Sequence, residues 1–101
     1  LDRIAQRGGL GLARVGSFAG NGSGDFIVAF STGYRMPTQK SPTYNVELVT
    51  DFHLDPIFAA TREATEEAVV NSLCMAETTT GLKGNTVEAM PYDWIADHLK
   101  R

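Results

Sequence analysis

A hydroxyl and a carboxylate stand two residues apart in a glycine-rich loop, at Ser23 and Asp25 of the stretch GNGSGD. A serine hydroxyl both donates and accepts hydrogen bonds, and a carboxylate stabilises a nearby positive charge. With a single glycine between them, the two side chains can be directed at one cationic or proton-accepting group. We therefore identify Ser23 and Asp25 as the candidate catalytic residues of this chain.

Two other interpretations of this loop remain open. In the first, the loop is a tight turn in which both side chains bond their own backbone. In the second, its N–H groups bind phosphate, but phosphate loops normally follow a strand and open a helix, whereas this loop follows a helical pattern and precedes a strand pattern. Neither the P-loop lysine nor the dinucleotide glycine pattern is completed, so we disfavour nucleotide binding and expect no cofactor.

Cysteine and histidine offer little further chemistry. Cys74 is the single cysteine, which excludes an intrachain disulfide and a cysteine-rich metal site, and we expect it to be a small buried apolar side chain. His53 and His98 lack metal-ligand spacing, so we expect surface or loop histidines and no metal. A Ser-His-Asp triad within this chain is disfavoured, because no nucleophile elbow is present. If the loop is catalytic, it supports a nucleophile that lies elsewhere.

The composition is ordinary for a soluble globular protein of 101 residues, with 43% hydrophobic and 21% charged residues. A net charge of −3 without a Lys/Arg cluster disfavours nucleic acid as a partner. No apolar run approaches the ~20 residues of a membrane-spanning helix, so we expect no membrane partner. The first residues already run at helical spacing, with neither an initiator Met nor a signal sequence ahead of them, so the chain is expected to start inside a domain. The sequence does not determine the location, for which we expect the cytoplasm.

The first half of the chain predicts a helix, a loop and two strands. Helical spacing covers Leu1 to Arg14, and three glycines within it, each costing up to about 1 kcal/mol, indicate close packing against another backbone. After the loop, the apolar run Phe26–Thr32 is typical of a strand buried on both faces. Residues 33–41 are predicted to be an exposed connection, and the alternation over Tyr44–Thr50 predicts a half-buried or edge strand.

The second half predicts two helices. Asp55 and Pro56 mark a helix start, because the carboxylate accepts free N–H groups and proline suits the first helical position. We expect this helix to run to about Thr79, with Gly81 and Gly84 ending it, and a last helix from Tyr92 to Lys100. The packing stripe predicted for the long helix comprises Ile57, Thr61, Ala64, Ala68, Leu73 and Ala76.

Six blocks of the sequence carry a resemblance to a known family. They are GLARVGS at 11–17, NGSGD at 21–25, AFST at 29–32, EATEEA at 63–68, AETTTG at 76–81 and GNTVEAMP at 84–91. In order and spacing these blocks resemble the self-processing aminopeptidases of the L-aminopeptidase D-esterase and β-peptidyl aminopeptidase type. The resemblance covers nearly the whole chain.

This resemblance implies an α/β fold that is part of a four-layer α/β/β/α sandwich of the N-terminal-nucleophile-like type. It implies a proenzyme cleaved into two subunits, in which the new N-terminal serine of the small subunit attacks an amide and its own α-amine is the general base. In such a family the residues matching Ser23 and Asp25 lie against that serine and amine. An α-amine with an ordinary pKa of about 7.7–8.0 suits general-base catalysis near neutral pH.

By the same resemblance the nucleophile lies on a strand upstream of Leu1. Residues 1–101 are then expected to form a single partial domain, the C-terminal portion of the small subunit. The implied partners are the large subunit of the same proenzyme, a short peptide or amide substrate, and further copies in a homo-oligomer. Two alternatives remain open, namely an amidase of the same fold acting on other linear amides, and a non-catalytic packing or oligomerisation module.

Overall fold

The computed structural model describes residues 1–38 and 42–100, so part of the predicted connection, Gln39–Ser41, lies outside the described residues. The described chain is a mixed helix and strand structure. Its α-helices are α1 (Asp2–Arg14), α2 (Asp55–Met75) and α3 (Tyr92–Leu99), its strands β1 (Thr79–Thr80) and β2 (Thr86–Val87), and its 3-10 helices Asp51–His53 and Leu82–Gly84. Its residue contacts divide it into two compact units, Leu1–Glu66 and Glu67–Arg101.

In the first unit, α1 forms where the sequence predicts it and ends in a glycine cap. The N–H of Gly16 bonds the carbonyl of Ala13 at 3.1 Å, and the N–H of Ser17 bonds that of Leu12 at 3.1 Å. These two bonds form a Schellman motif, which needs a left-handed residue between them. Gly16 supplies it with a φ of 99°, so the chain leaves α1 and enters the glycine-rich loop in a defined direction.

Two glycines of α1 explain how it packs. Gly8 and Gly11 are its buried residues. A Cβ at Gly11 would lie 2.5 Å from the Cβ of Thr65 and 2.7 Å from the carbonyl oxygen of Arg62, both on α2. The close backbone approach predicted from these glycines is therefore confirmed, and the partner is α2.

Charged side chains flank this glycine contact. Arg14 forms an ion pair with Glu66 at the C-terminal end of α1. Nearer its N-terminus, the guanidinium carbons of Arg3 and Arg7 lie 5.2 and 4.0 Å from the ring centroid of Phe58. Cation–π contacts and exposed ion pairs each stabilise by about 1 kcal/mol or less, so they support the glycine contact without replacing it.

The long helix α2 starts at Asp55 as predicted but ends at Met75, four residues before Thr79. It ends early because the threonines that follow pair into a hairpin, where Thr79 lies opposite Val87 and Thr80 opposite Thr86. Gly81 and Gly84 belong to the turn of this hairpin: the Gly81 N–H bonds the carbonyl of Asn85 at 2.7 Å, and Gly84 has a φ of 78°.

The packing stripe predicted for α2 is only partly right. Ile57 and Thr61 are half-buried as expected, whereas Ala64, Ala68 and Leu73 are exposed. The packed face instead continues through Thr65, whose hydroxyl donates to the carbonyl of Thr61 at 2.8 Å. Since the threonine hydroxyl is satisfied within its own helix, Thr65 can face the glycine of α1 without leaving a polar group unpaired.

The two predicted strands of the first unit are not paired in this chain. In the described residues the β ladder joins only β1 and β2. In the segment 26–30, Phe26, Val28 and Phe30 are 100%, 85% and 81% exposed, whereas Ile27 is 42% exposed. The prediction that Phe26–Thr32 is buried on both faces is therefore wrong for this chain, because one side lies against α1 and no described segment covers the other.

The second predicted strand, Tyr44–Thr50, has every residue exposed, so its predicted half-burial is also wrong here. Residues of this segment and of 31–34 line one open groove. The last helix, α3, matches its prediction to within a residue at its C-terminus.

We expect Gly11→Ala to destabilise the complete protein. Overpacking commonly costs about 1–3 kcal/mol, whereas alanine regains at most about 1 kcal/mol of helix propensity. One of the clashing atoms is a backbone carbonyl, which cannot rotate away. The free energy of unfolding from denaturant titration tests this. Gly9→Ala is the matched control, because nothing lies within 4 Å of a Cβ there, and it should be neutral or stabilising.

We also expect the 101-residue chain, expressed alone, to associate and to melt without a cooperative transition. None of the described hydrophobic residues is buried, and Phe18, Phe26 and Phe52 are at least 90% exposed. Sedimentation velocity and calorimetry test this. A single sharp monomer boundary together with a cooperative melt would contradict it.

Candidate active site

The candidate catalytic residues lie in the loop that α1 leads into. Ser23 closes a turn, since its backbone N–H bonds the carbonyl of Gly20 at 2.8 Å. Ala19, just before this turn, has a φ of 50°, a left-handed conformation that is uncommon for a residue with a side chain. The loop therefore has a defined local geometry set by backbone bonds.

The side chains of Ser23 and Asp25 are exposed. Among the described residues neither makes a side-chain hydrogen bond or an ion pair. The tight-turn interpretation required both side chains to bond their own backbone, and they do not do so here, although the backbone does form a turn. A hydroxyl and a carboxylate are thus presented on one short segment with their hydrogen-bonding capacity unused.

Both ends of this loop are held against helices. Before the loop, Arg14 pairs with Glu66 of α2. After it, the side chain of Ile27 lies against Gly8 of α1, where a Cβ on the glycine would come within 3.0 Å of Ile27 Cδ1. The segment bearing Ser23 and Asp25 is therefore attached to the same helix pair on either side.

The histidines are engaged locally and exposed, as predicted. The Oγ1 of Thr50 lies 3.0 Å from His53 Nδ1, and the carbonyl oxygen of Trp94 lies 2.7 Å from His98 Nδ1. His98 also stacks on the Trp94 ring at a centroid distance of 3.9 Å. Within residues 1–38 and 42–100, no group of three His, Cys, Asp or Glu side chains could hold a metal ion.

The prediction that Cys74 is buried is wrong for this chain, because residues 70–75 of α2 are all exposed.

Sequence reasoning also missed the contact that Tyr92 makes with Cys74. The Tyr92 hydroxyl donates to the carbonyl of Cys74. Desolvation raises the pKa of the Tyr92 phenol, and the Cys74 side chain raises it further by a hydrogen bond and by its charge. The phenol therefore stays protonated at neutral pH and remains a donor that ties the start of α3 to the end of α2.

None of the helices in the described part of the chain is long and apolar enough to cross a membrane.

The sequence profile of Peptidase family S58 matches residues 1–87. The beta-peptidyl aminopeptidase BapA of Sphingosinicella microcystinivorans is 38% identical over 102 residues, which cover 100% of this chain and 26% of that protein. The BapA of Sphingosinicella xenopeptidilytica is 38% identical over 103 residues, which cover 99% of this chain and 25% of that protein. The chain thus spans about a quarter of the length of the curated relatives it matches.

Two solved structures are similar throughout this chain. The PH0078 protein from Pyrococcus horikoshii OT3 matches with a TM-score of 0.90 and 40% identity, over 100% of this chain and 29% of that one. A beta-aminopeptidase from a Burkholderia species matches with a TM-score of 0.83 and 36% identity, over 97% of this chain and 29% of that one. The fold and the sequence together place the chain among peptidases. It belongs to Peptidase family S58.

Proposed function

We propose that this chain is the C-terminal portion of the small subunit of a self-processing serine aminopeptidase. The substrates would be short peptides, amides or esters, from which the enzyme releases N-terminal residues. Membership of Peptidase family S58 and the 38% identity to two beta-peptidyl aminopeptidases support the peptidase function. The observation that carries the proposal is the loop on which the side chains of Ser23 and Asp25 are exposed and, within residues 1–38 and 42–100, make no hydrogen bond or ion pair.

In the proposed mechanism an N-terminal serine, supplied by a strand outside this chain, attacks the substrate carbonyl. Its own α-amine takes the hydroxyl proton as the carbon–oxygen bond forms, and returns a proton to the leaving amine as the carbon–nitrogen bond breaks. Water then hydrolyses the acyl-serine ester, which releases the N-terminal residue and restores the serine. The Asp25 carboxylate stabilises the resulting ammonium, and the Ser23 hydroxyl bonds the same group. The role of the loop is thus to hold and orient a base that belongs to another segment.

The proposed architecture is a four-layer α/β/β/α sandwich completed by the large subunit, in a homo-oligomer. The uncovered side of residues 26–30 supports it: the exposed Phe26, Val28 and Phe30 alternate with the less exposed Ile27, which lies against α1. In an extended segment such alternation places one set of side chains on a helix layer and the other on a second sheet. The same exposed surface is what a non-catalytic packing module would also present, so activity must decide between the two.

We expect Asp25→Asn in the complete, processed enzyme to lower kcat by about 10²–10⁴-fold, because it removes the charge that stabilises the ammonium and keeps the shape. Ser23→Ala should lower kcat less, since it removes one hydrogen bond. Steady-state kinetics with a short peptide amide and thermal melting are measured together. Asp97→Asn and Ser17→Ala, both at exposed positions, are matched controls and should leave kcat unchanged.

If both loop variants kept near-normal turnover while their melting temperatures fell, the loop would be structural and the site assignment wrong.

The isolated 101-residue chain should show no peptidase activity, because in the proposed mechanism both nucleophile and base come from outside it. Release of a chromogenic amine from an aminoacyl anilide measures this directly. Turnover by the purified chain would overturn the assignment of the nucleophile. N-terminal sequencing of the complete gene product after expression provides the complementary test, since the proposal requires a new N-terminal serine.

A further inference from the structure

The contact between Gly8 and Ile27 joins α1 to the segment that carries Asp25. Asp25 lies two residues before Ile27. Gly8 is buried, and a Cβ built there would lie 3.0, 3.4 and 3.7 Å from Ile27 Cδ1, Cγ2 and Cγ1. Ile27 can therefore pack against α1 at this position because Gly8 has no side chain. Gly9, its neighbour on the same helix, has nothing within 4 Å of its Cβ position, so this requirement is specific to position 8.

The geometry of an extended segment connects this contact to the loop. Exposure alternates over this segment, with Phe26 100%, Ile27 42% and Val28 85% exposed, as in an extended chain whose alternate residues share a face. Continued back by one residue, the alternation assigns Asp25 to the side of Ile27. The side chain of Asp25 forms no bond of its own among the described residues. Its position is consequently set by the backbone, and the first side-chain contact along that backbone is the one Ile27 makes with Gly8.

We propose that Gly8 is a positioning residue for Asp25, and that it acts through the packing of Ile27 against it. This inference rests on the proposed function, in which Asp25 holds the amine of the nucleophile. A methyl group at position 8 would lie 3.0 Å from Ile27 Cδ1, closer than ordinary van der Waals contact, so the Ile27 side chain must give by a few tenths of an ångström. In the proposed role, part of this shift passes along the backbone to Asp25. Misplacement of a catalytic group by about 1 Å can cost about 10²-fold in rate, so a smaller shift should cost less.

The test is a double-mutant cycle in the complete, processed enzyme. Gly8→Ala adds one methyl group, and Ile27→Val removes the Cδ1 methyl that it would meet. We expect Gly8→Ala to lower kcat by roughly tenfold with KM nearly unchanged, and not to lower Tm, because alanine favours the helix. The double variant should return kcat to within about twofold of the Ile27→Val enzyme, because the methyl group at position 8 no longer meets a Cδ1 atom at position 27.

Two control variants distinguish failure of this inference from failure of the proposed function. Gly9→Ala should leave kcat unchanged, and Asp25→Asn should lower it. If Asp25→Asn lowers kcat while Gly8→Ala does not, or if the double variant stays as slow as Gly8→Ala, Gly8 has no positioning role and the proposed function stands. If Asp25→Asn leaves kcat unchanged, the proposed function fails and this inference with it. Should Gly8→Ala fail to accumulate, Ile27→Ala tests the same contact from the other side, and unchanged kcat would overturn the inference.

Discussion

The close approach of α1 to α2 at Gly11 is the contact on which the first unit depends. A side chain at this position would run into the Cβ of Thr65 and the backbone of α2, so the helices could not meet where they do. The other contacts between α1 and α2 follow from that approach: the Arg14–Glu66 ion pair lies one turn away, and Arg7 lies over Phe58 on the preceding turn of α2. Because the glycine-rich loop starts at the end of α1, its position is a consequence of the helix pair.

Local signals in the sequence predicted the elements that depend on local interactions. The spans of α1 and α3 follow from helical spacing within a few positions, and the start of α2 coincides with the Asp55–Pro56 pair. The glycines of α1 predicted a close backbone contact, although the sequence could not identify α2 as its partner. The prediction failed for Phe26–Thr32, because a strand needs hydrogen-bonding partners on segments that are distant in sequence. Among the described residues, no segment pairs with it.

The face of α2 shows why apolar periodicity alone is not sufficient. The predicted stripe followed Ala64 and Ala68, which are apolar but small, and both are exposed. The face that packs carries Thr61, which the predicted stripe included, and Thr65, which it did not; both threonines satisfy their hydroxyls by bonding carbonyls one turn back. Burying a hydroxyl is costly only when it lacks a partner, so a threonine, Thr65, can occupy the position that contacts Gly11 of α1.

For the candidate site, residue chemistry alone identified Ser23 and Asp25 as a hydroxyl–carboxylate pair, and the resemblance supplied their roles. The exposure of both side chains limits what the pair can do in this chain. Two unit charges 4 Å apart interact by about 1 kcal/mol in water and by about 4 kcal/mol where the effective dielectric constant is near 20. Asp25 can therefore stabilise a neighbouring ammonium strongly only when the loop is shielded from water. The layer proposed to cover Phe26, Val28 and Phe30 begins next to Asp25, so the burial that would complete the fold would also strengthen the electrostatic interaction that the proposed chemistry needs.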